Sequence, residues 1–165
     1  MQGPYRIGVL TLSDKGSQGK RVDESGPVVQ EMLAEIGGVT QTAILPDDVA
    51  DIVDLLKEWC DQEHLNLVVT TGGTGLTPRD ITPQATLQVL DYEIPGMAEA
   101  MRSKSLEKTP HAMLSRAVVG VRGQTMIINL PGSPKGAREN LEVLLPALPH
   151  ALAKLAGDPE DCASA

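Results

Sequence analysis

An apolar run, Leu67-Val68-Val69, breaks without a polar spacer into Thr70-Thr71-Gly72-Gly73-Thr74-Gly75, and Arg79-Asp80 follow a few residues later. Consecutive apolar residues suit a strand buried on both faces, as in a parallel sheet flanked by helices. Glycine takes positive φ and lets a ligand approach the main chain, so a glycine-rich strand exit can converge several N–H groups on an anion. A tight turn explains one glycine, or two. Three among four residues, flanked by the hydroxyls of Thr71 and Thr74, exceed what a turn requires.

The neighbouring segments set this strand in a repeating order. Arg6–Leu12 reads as a first buried strand, and a polar loop over 13–24 follows it. Ser25 can cap a helix with Pro27 in its first turn and an apolar stripe of Val28, Val29, Met32, Leu33 and Ile36, with Gly37-Gly38 as its stop. Thr40–Leu45 is a second strand closed by Pro46. Asp47-Asp48 then opens a helix in which Ile52, Leu55, Leu56 and Trp59 recur at helical spacing. Leu65–Thr71 is the third strand. Thr82-Pro83 reads as a cap and first helical position for a helix to Leu90, and Pro95 to Leu106 supports another. Ala117–Val121 and Thr125–Leu130 are strands joined by Arg122-Gly123-Gln124, before a C-terminal helical region broken at Pro146 and Pro149.

Alternation of strand and helix predicts an α/β fold: a three-layer sandwich with a mostly parallel sheet and one antiparallel strand pair. Residues 1–157 form a single domain on this reading, and 158–165, without apolar periodicity, a mobile tail. Ligands of such sheets collect beyond the carboxyl ends of the strands. The candidate rim is therefore the loops at 13–24, 46–48, 71–82 and 131–135.

Composition narrows the ligand. The chain has no Phe, one Trp and two Tyr, so stacking platforms for single-stranded nucleic acid are nearly lacking. The formal charge of −8 points the same way, because nucleic-acid binding draws on a basic surface. A small anion is still admissible, since a local nest of amides or a metal ion can oppose the global field. No apolar run approaches the ~18 residues of a membrane span, and no leader pattern opens the sequence, which leads to the expectation of a cytoplasmic protein. Cys60 and Cys162 have no paired spacing.

The familiar phosphate motifs fail. Pro78 stands where a dinucleotide fingerprint needs its third glycine, and Gly19-Lys20 is followed by Arg21 rather than a hydroxyl residue. Asp47 and Asp48 can be read as helix caps, and Asp80 likewise. Their position supports a second reading: Asp47 and Asp80 both follow strands on one predicted edge, where two carboxylates could hold Mg²⁺ with substrate phosphates completing the octahedron. Ser13, Asp14 and Ser133 are turn or cap residues, or hydrogen-bonding groups for a polar ligand. Arg79, Arg102, Arg116 and Lys135 are each an anion clamp or a solvated cation. His64, His111 and His150 have neither ligand spacing nor a nucleophile partner.

Eight motifs together resemble one family: Thr-Leu-Ser-Asp (11–14), Asp-Glu-Ser-Gly-Pro (23–27), Leu-Pro-Asp-Asp (45–48), Thr-Thr-Gly-Gly-Thr-Gly (70–75), Pro-Arg-Asp-Ile-Thr-Pro-Gln-Ala-Thr (78–86), Glu-Ile-Pro-Gly-Met (93–97), Leu-Ser-Arg (114–116) and Asn-Leu-Pro-Gly-Ser-Pro-Lys (129–135). In this order they look like the molybdopterin adenylyltransferases of MogA/MoaB type, related to the gephyrin G domain and its plant counterpart. The resemblance implies the molybdenum cofactor biosynthesis protein fold and transfer of AMP from Mg·ATP to the terminal phosphate of molybdopterin, with release of pyrophosphate. It implies a homotrimer and a molybdate-inserting partner protein. It also implies catalytic and Mg²⁺-holding roles for Asp47 and Asp80. The substrate contacts it implies are Ser13, Asp14, Thr71, Gly72, Gly73, Thr74, Gly75, Glu93, Pro131, Gly132 and Ser133. A non-catalytic molybdopterin-binding or scaffold module of the same fold is the alternative.

Overall fold

The computed structural model describes residues 4–159, so residues 160–165 of the expected tail lie outside the described residues. Its strands are β1 (Tyr5–Leu12), β2 (Gly37–Leu45), β3 (Leu67–Thr71), β4 (Tyr92–Glu93), β5 (Val119–Arg122) and β6 (Thr125–Leu130). They form one sheet in the order β2-β1-β3-β6-β5-β4. β2, β1, β3 and β6 run parallel, while β5 is antiparallel to both β6 and β4. The expected α/β architecture with its antiparallel pair is present.

Every residue of β3 and β6 is buried, which is why their sequences show no polar alternation. Ile7, Val9, Leu67, Val69, Met126 and Ile128 face one helical layer, built from α2 (Ser25–Leu33), α5 (Pro95–Leu106), α6 (Pro134–Leu144) and α7 (Leu148–Leu155). Leu10, Val68 and Ile127 face the other, built from α3 (Val49–Lys57) and α4 (Thr82–Val89). A short α1 (Asp14–Ser17) sits at the end of β1. Among the described residues no helix is long and apolar enough to cross a membrane.

Several local expectations shift. α2 ends at Leu33, where the Ile36 N–H closes a turn on the Leu33 carbonyl, so Gly37-Gly38 is absorbed into β2 opposite Tyr5 and Arg6. The cap of α2 comes from Asp23, whose Oδ1 accepts the Gly26 N–H at 2.9 Å, and Ser25 is already helical. Thr82 likewise lies inside α4. α3 continues into a π-helical turn, Glu58–Gln62, that buries Trp59 and Cys60. β4 has only two residues, too short to show a strand period, and exists because Tyr92 and Glu93 pair with Val121 and Gly120.

Candidate active site

From β1 the chain crosses to β2 on one side and later returns to β3 on the other. The carboxyl ends of β1 and β3 thus form a switch point, where divergent loops leave a crevice. A cleft of about 1260 Å³ opens there, with Ser13 and Asp14 on one wall, Gly72 and Gly73 on another, and Asp47 and Asp80 beside them. Thr71, Gly132 and Ser133 complete this wall.

The glycine loop is fixed by its carbonyls. Gly72 and Gly73 have φ of 105° and 70°, so both peptides turn over. The Gly72 carbonyl accepts the Thr82 hydroxyl at 2.9 Å and that of Gly73 accepts the Thr82 N–H at 3.1 Å. The Thr74 carbonyl accepts the Arg116 N–H at 3.0 Å, and that of Gly75 accepts Arg116 Nε at 2.9 Å. Four consecutive carbonyls are therefore held by protein. The N–H groups of Gly73, Thr74 and Gly75 make no hydrogen bond among the described residues. A row of unengaged amides in a turned-over loop has the chemistry to receive an anion.

The acids differ in their duties. Asp48 caps α3, its Oδ1 accepting the Asp51 N–H at 3.0 Å. That leaves Asp47 without a capping role, and its Oδ1 is buried with no hydrogen-bond partner. Burial first, then the neighbouring Asp14 carboxylate, pushes the Asp47 carboxyl above its ordinary value, with Asp80 adding to the effect. A buried, orphaned carboxylate oxygen beside other acids fits a hard cation such as Mg²⁺, which takes few protein ligands and fills its shell with phosphate and water oxygens. Among the described residues no cluster of three His, Cys, Asp or Glu forms a ready-made metal cage. Asp80 Oδ2 accepts the Thr77 N–H at 3.0 Å and its hydroxyl at 2.8 Å, which fixes its carboxylate. Asp14 is clamped by Arg79, Nε to Oδ2 at 3.0 Å and Nη2 to Oδ1 at 2.8 Å, and these bonds hold its carboxyl below the usual range.

Ser13 and Ser133 use their hydroxyls as caps, accepting the N–H groups of Gly16 at 2.9 Å and Gly136 at 3.0 Å. Both remain on the cleft wall. Thr71 donates to the Pro131 carbonyl at 2.7 Å, tying the loop after β3 to the loop after β6. Thr74, Gly75 and Pro131 line a second cavity of about 290 Å³, which shares no lining residue with the first. Glu93 is exposed on β4 and lines neither cavity. The cations are largely committed: Arg102 donates to the Ser115 and Ala117 carbonyls, and Lys135 is exposed near Glu139.

Sequence reasoning missed the second cavity, whose wall includes Ser105, Thr109, His111, Ser115 and Asn140. These come from α5, α6 and the 3₁₀ turn Pro110–Leu114 with the residues that flank it, and no local pattern unites them. Asp23 was legible only as part of a motif. It lines the first cleft and accepts the Thr11 hydroxyl at 2.8 Å as well as capping α2.

Comparison with known proteins supplies the family. Residues 8–150 match the family described as "Probable molybdopterin binding domain". The chain is 44% identical over 156 residues to a molybdopterin adenylyltransferase of Helicobacter pylori, covering 92% of this chain and 88% of that protein. It is 44% identical over 165 residues to gephyrin of Dictyostelium discoideum, covering 93% of this chain but spanning only 23% of gephyrin's length. The solved structure of the molybdopterin biosynthesis enzyme MoaB from Thermus thermophilus superposes with a TM-score of 0.89 at 52% identity, over 95% of this chain and 99% of that one. The chain therefore belongs to the molybdenum cofactor biosynthesis family of molybdopterin-binding domains.

Proposed function

We propose that the protein is a molybdopterin adenylyltransferase, joining AMP from Mg·ATP to the terminal phosphate of molybdopterin. The observation that carries this reading is the glycine loop, whose carbonyls are held by protein and whose unengaged amides belong to residues lining two different cavities, Gly73 the larger and Thr74 and Gly75 the smaller. A transfer between two anionic substrates needs such a partition: one ligand on each side, with their phosphates meeting at the loop.

We assign the nucleotide to the larger cleft, which holds Asp47 and Asp80, and the pterin to the smaller cavity. An oxygen of the molybdopterin phosphate attacks the α-phosphorus of ATP, a new P–O bond forms, and the bond from the α-phosphorus to the β-bridging oxygen breaks, so pyrophosphate leaves with that electron pair. The nucleophile is already an ionised phosphate oxygen, so no general base is required. The protein's contribution is positioning and relief of like-charge repulsion. The loop amides orient the phosphate, and the Arg79 guanidinium stands in the nucleotide cleft. Asp47 and Asp80 would hold Mg²⁺, which when bound neutralises charge on the triphosphate.

The test is release of pyrophosphate from Mg·ATP and molybdopterin by the purified protein, with loss of that activity in a folded Asp80→Asn variant. Tight molybdopterin binding without turnover would reduce the protein to a non-catalytic pterin-binding module. Full activity in both Asp47→Asn and Asp80→Asn would remove the two-acid mechanism.

A further inference from the structure

Arg116 follows the second cavity's Ser115 directly, and its contacts reach into the first cleft's wall. Its main-chain N–H donates to the Thr74 carbonyl at 3.0 Å. Its guanidinium donates through Nε to the Gly75 carbonyl at 2.9 Å and through Nη2 to the Asp80 carbonyl at 2.6 Å. Nη1 reaches Gln84 Oε1 on α4 at 3.0 Å. One side chain thus gathers the end of the amide cradle, the backbone of the acid and the helix behind them. It engages no carboxylate among the described residues, although the chain carries a net charge of −8.

We propose that Arg116 is a positioning residue for the transfer, setting the distance and angle between the loop amides that hold the phosphate and the Asp80 carboxylate across the partition. This rests on the reading given under Proposed function. The carbonyls of Gly75 and Asp80 lie five residues apart on a loop with no regular structure, and the planar guanidinium fork ties both at once. A lysine ammonium supplies the charge without the rigid fork. The main-chain N–H of Arg116 also engages the carbonyl of the Thr74–Gly75 peptide, whose own N–H is one of the three cradle amides. Its guanidinium is engaged by Gly75, Asp80 and Gln84, and Arg116 lines neither cavity.

The partner contacts separate this role from simple stabilisation. Gln84 uses the same guanidinium but touches neither the cradle nor the acid, so Gln84→Ala is the control. Arg116→Ala and Arg116→Lys are compared with it in two assays: turnover by pyrophosphate release, and binding of inorganic pyrophosphate without Mg²⁺, which reads anion binding apart from turnover and from the metal. Expected are a fall in kcat of about 100-fold for Arg116→Ala and at least about tenfold for Arg116→Lys, as misplacement by roughly 1 Å produces. KM for Mg·ATP should move less than about threefold in Arg116→Lys, pyrophosphate affinity should fall about tenfold in both Arg116 variants, and added guanidinium should partly restore Arg116→Ala but not Asp80→Asn. Gln84→Ala should match the parent in both assays.

Arg116→Lys serves as the decisive variant if Arg116→Ala does not fold. A folded Arg116→Lys with kcat and pyrophosphate affinity within about threefold of the parent overturns the proposal and leaves the adenylyltransferase reading standing. A parent protein that binds pyrophosphate through the loop but has no turnover overturns that reading instead, and the affinity loss in Arg116→Lys still decides the positioning role. A parent that neither turns over nor binds pyrophosphate overturns both.

Discussion

Asp14 Oδ1 accepts the backbone N–H of Asp47 at 3.0 Å, so the loop after β1 and the loop after β2 are stitched together by the very group that sets two carboxylates side by side. Arg79 relieves Asp14 through two hydrogen bonds, whereas Asp47 Oδ1 has no hydrogen-bond partner and the charge of Arg79 offsets its burial only in part. The folded protein therefore carries one acid below its ordinary pKa and one above it within a single cleft. Acids shifted in opposite directions within one cleft are a feature that clusters at functional sites.

Asp47→Asn should stabilise the ligand-free protein while abolishing turnover. The ionised Asp47 is disfavoured in the folded state, so at pH above its raised folded pKa it costs stability. The cost fades as pH falls and vanishes below the ordinary value of 3.8, where the group is protonated folded and unfolded alike. The gain should be about 1 kcal/mol or less near pH 7, because water screens a partly exposed carboxylate. At roughly 2 to 4 °C per kcal/mol for a domain of this size, melting curves near pH 7 and near pH 4 resolve it. A lower Tm for the variant near pH 7 would contradict the assignment of Asp47 as a strained, ligand-seeking acid.

Much of this arrangement was legible because it depends on local chemistry. The unbroken apolar runs of β3 and β6 announced strands covered on both faces, and the glycines after Thr71 announced a loop whose main chain turns over through positive φ. Asp47 and Asp48 were not separable in the sequence, since either can cap a helix. Only the bond from the Asp51 N–H to Asp48 Oδ1 assigns the cap and leaves Asp47 over. Arg116 read as an anion clamp or a solvated cation, and its backbone carbonyl partners, Thr74, Gly75 and Asp80, come from 36 to 42 positions away, a separation that no local pattern records. Glu93 stood in a motif, yet strand pairing at the sheet edge keeps it out of both cavities.

Gly73→Ala should disable the cradle. Its φ of 70° is strained for alanine, and the added methyl would collide with the Thr82 hydroxyl and come within 3.1 Å of Asp47 Oδ1. The loop has to rotate, releasing the carbonyls from Thr82. A stability loss of about 1 to 3 kcal/mol is expected, with pyrophosphate binding reduced by more than tenfold. Calorimetric titration with pyrophosphate and a melting curve check the two parts separately. Unchanged binding would mean that the amides of residues 73–75 are not the anion site.

Asn129→Leu tests the polar strut beneath the loop. Asn129 is fully buried on β6, and its Nδ2 donates to Thr70 Oγ1 at 3.0 Å and Thr86 Oγ1 at 3.1 Å, while Oδ1 accepts the Val118 N–H. Thr86 in turn donates to the Thr82 carbonyl, next to the hydroxyl that holds Gly72. Leucine fills a similar volume but leaves buried hydroxyls short of a donor, for a loss of about 2 to 3 kcal/mol. That corresponds to a fall in Tm of roughly 5 to 10 °C, read by thermal denaturation. A change below about 2 °C would mean that the network relaxes without cost.

Two substitutions on opposite sides of the partition should separate the substrates. Arg79→Ala removes a cation from the larger cleft, and a charge-assisted contact to phosphate is worth about 1.5 kcal/mol or more, so KM for Mg·ATP should rise at least about tenfold. The same change frees Asp14, whose carboxyl should move up toward its ordinary 3.8, visible by carboxylate NMR titration. Ser105→Leu places bulk in the 290 Å³ cavity and removes the hydroxyl that accepts Asn140 Nδ2 at 3.2 Å. It should raise KM for molybdopterin by about tenfold or more through lost shape fit, with KM for Mg·ATP little changed. Steady-state kinetics with each substrate varied in turn give the comparison. If Ser105→Leu weakened Mg·ATP and spared molybdopterin, the two ligands would have to exchange cavities, and the amides of Gly73, Thr74 and Gly75 would then hold the same phosphates from the other side.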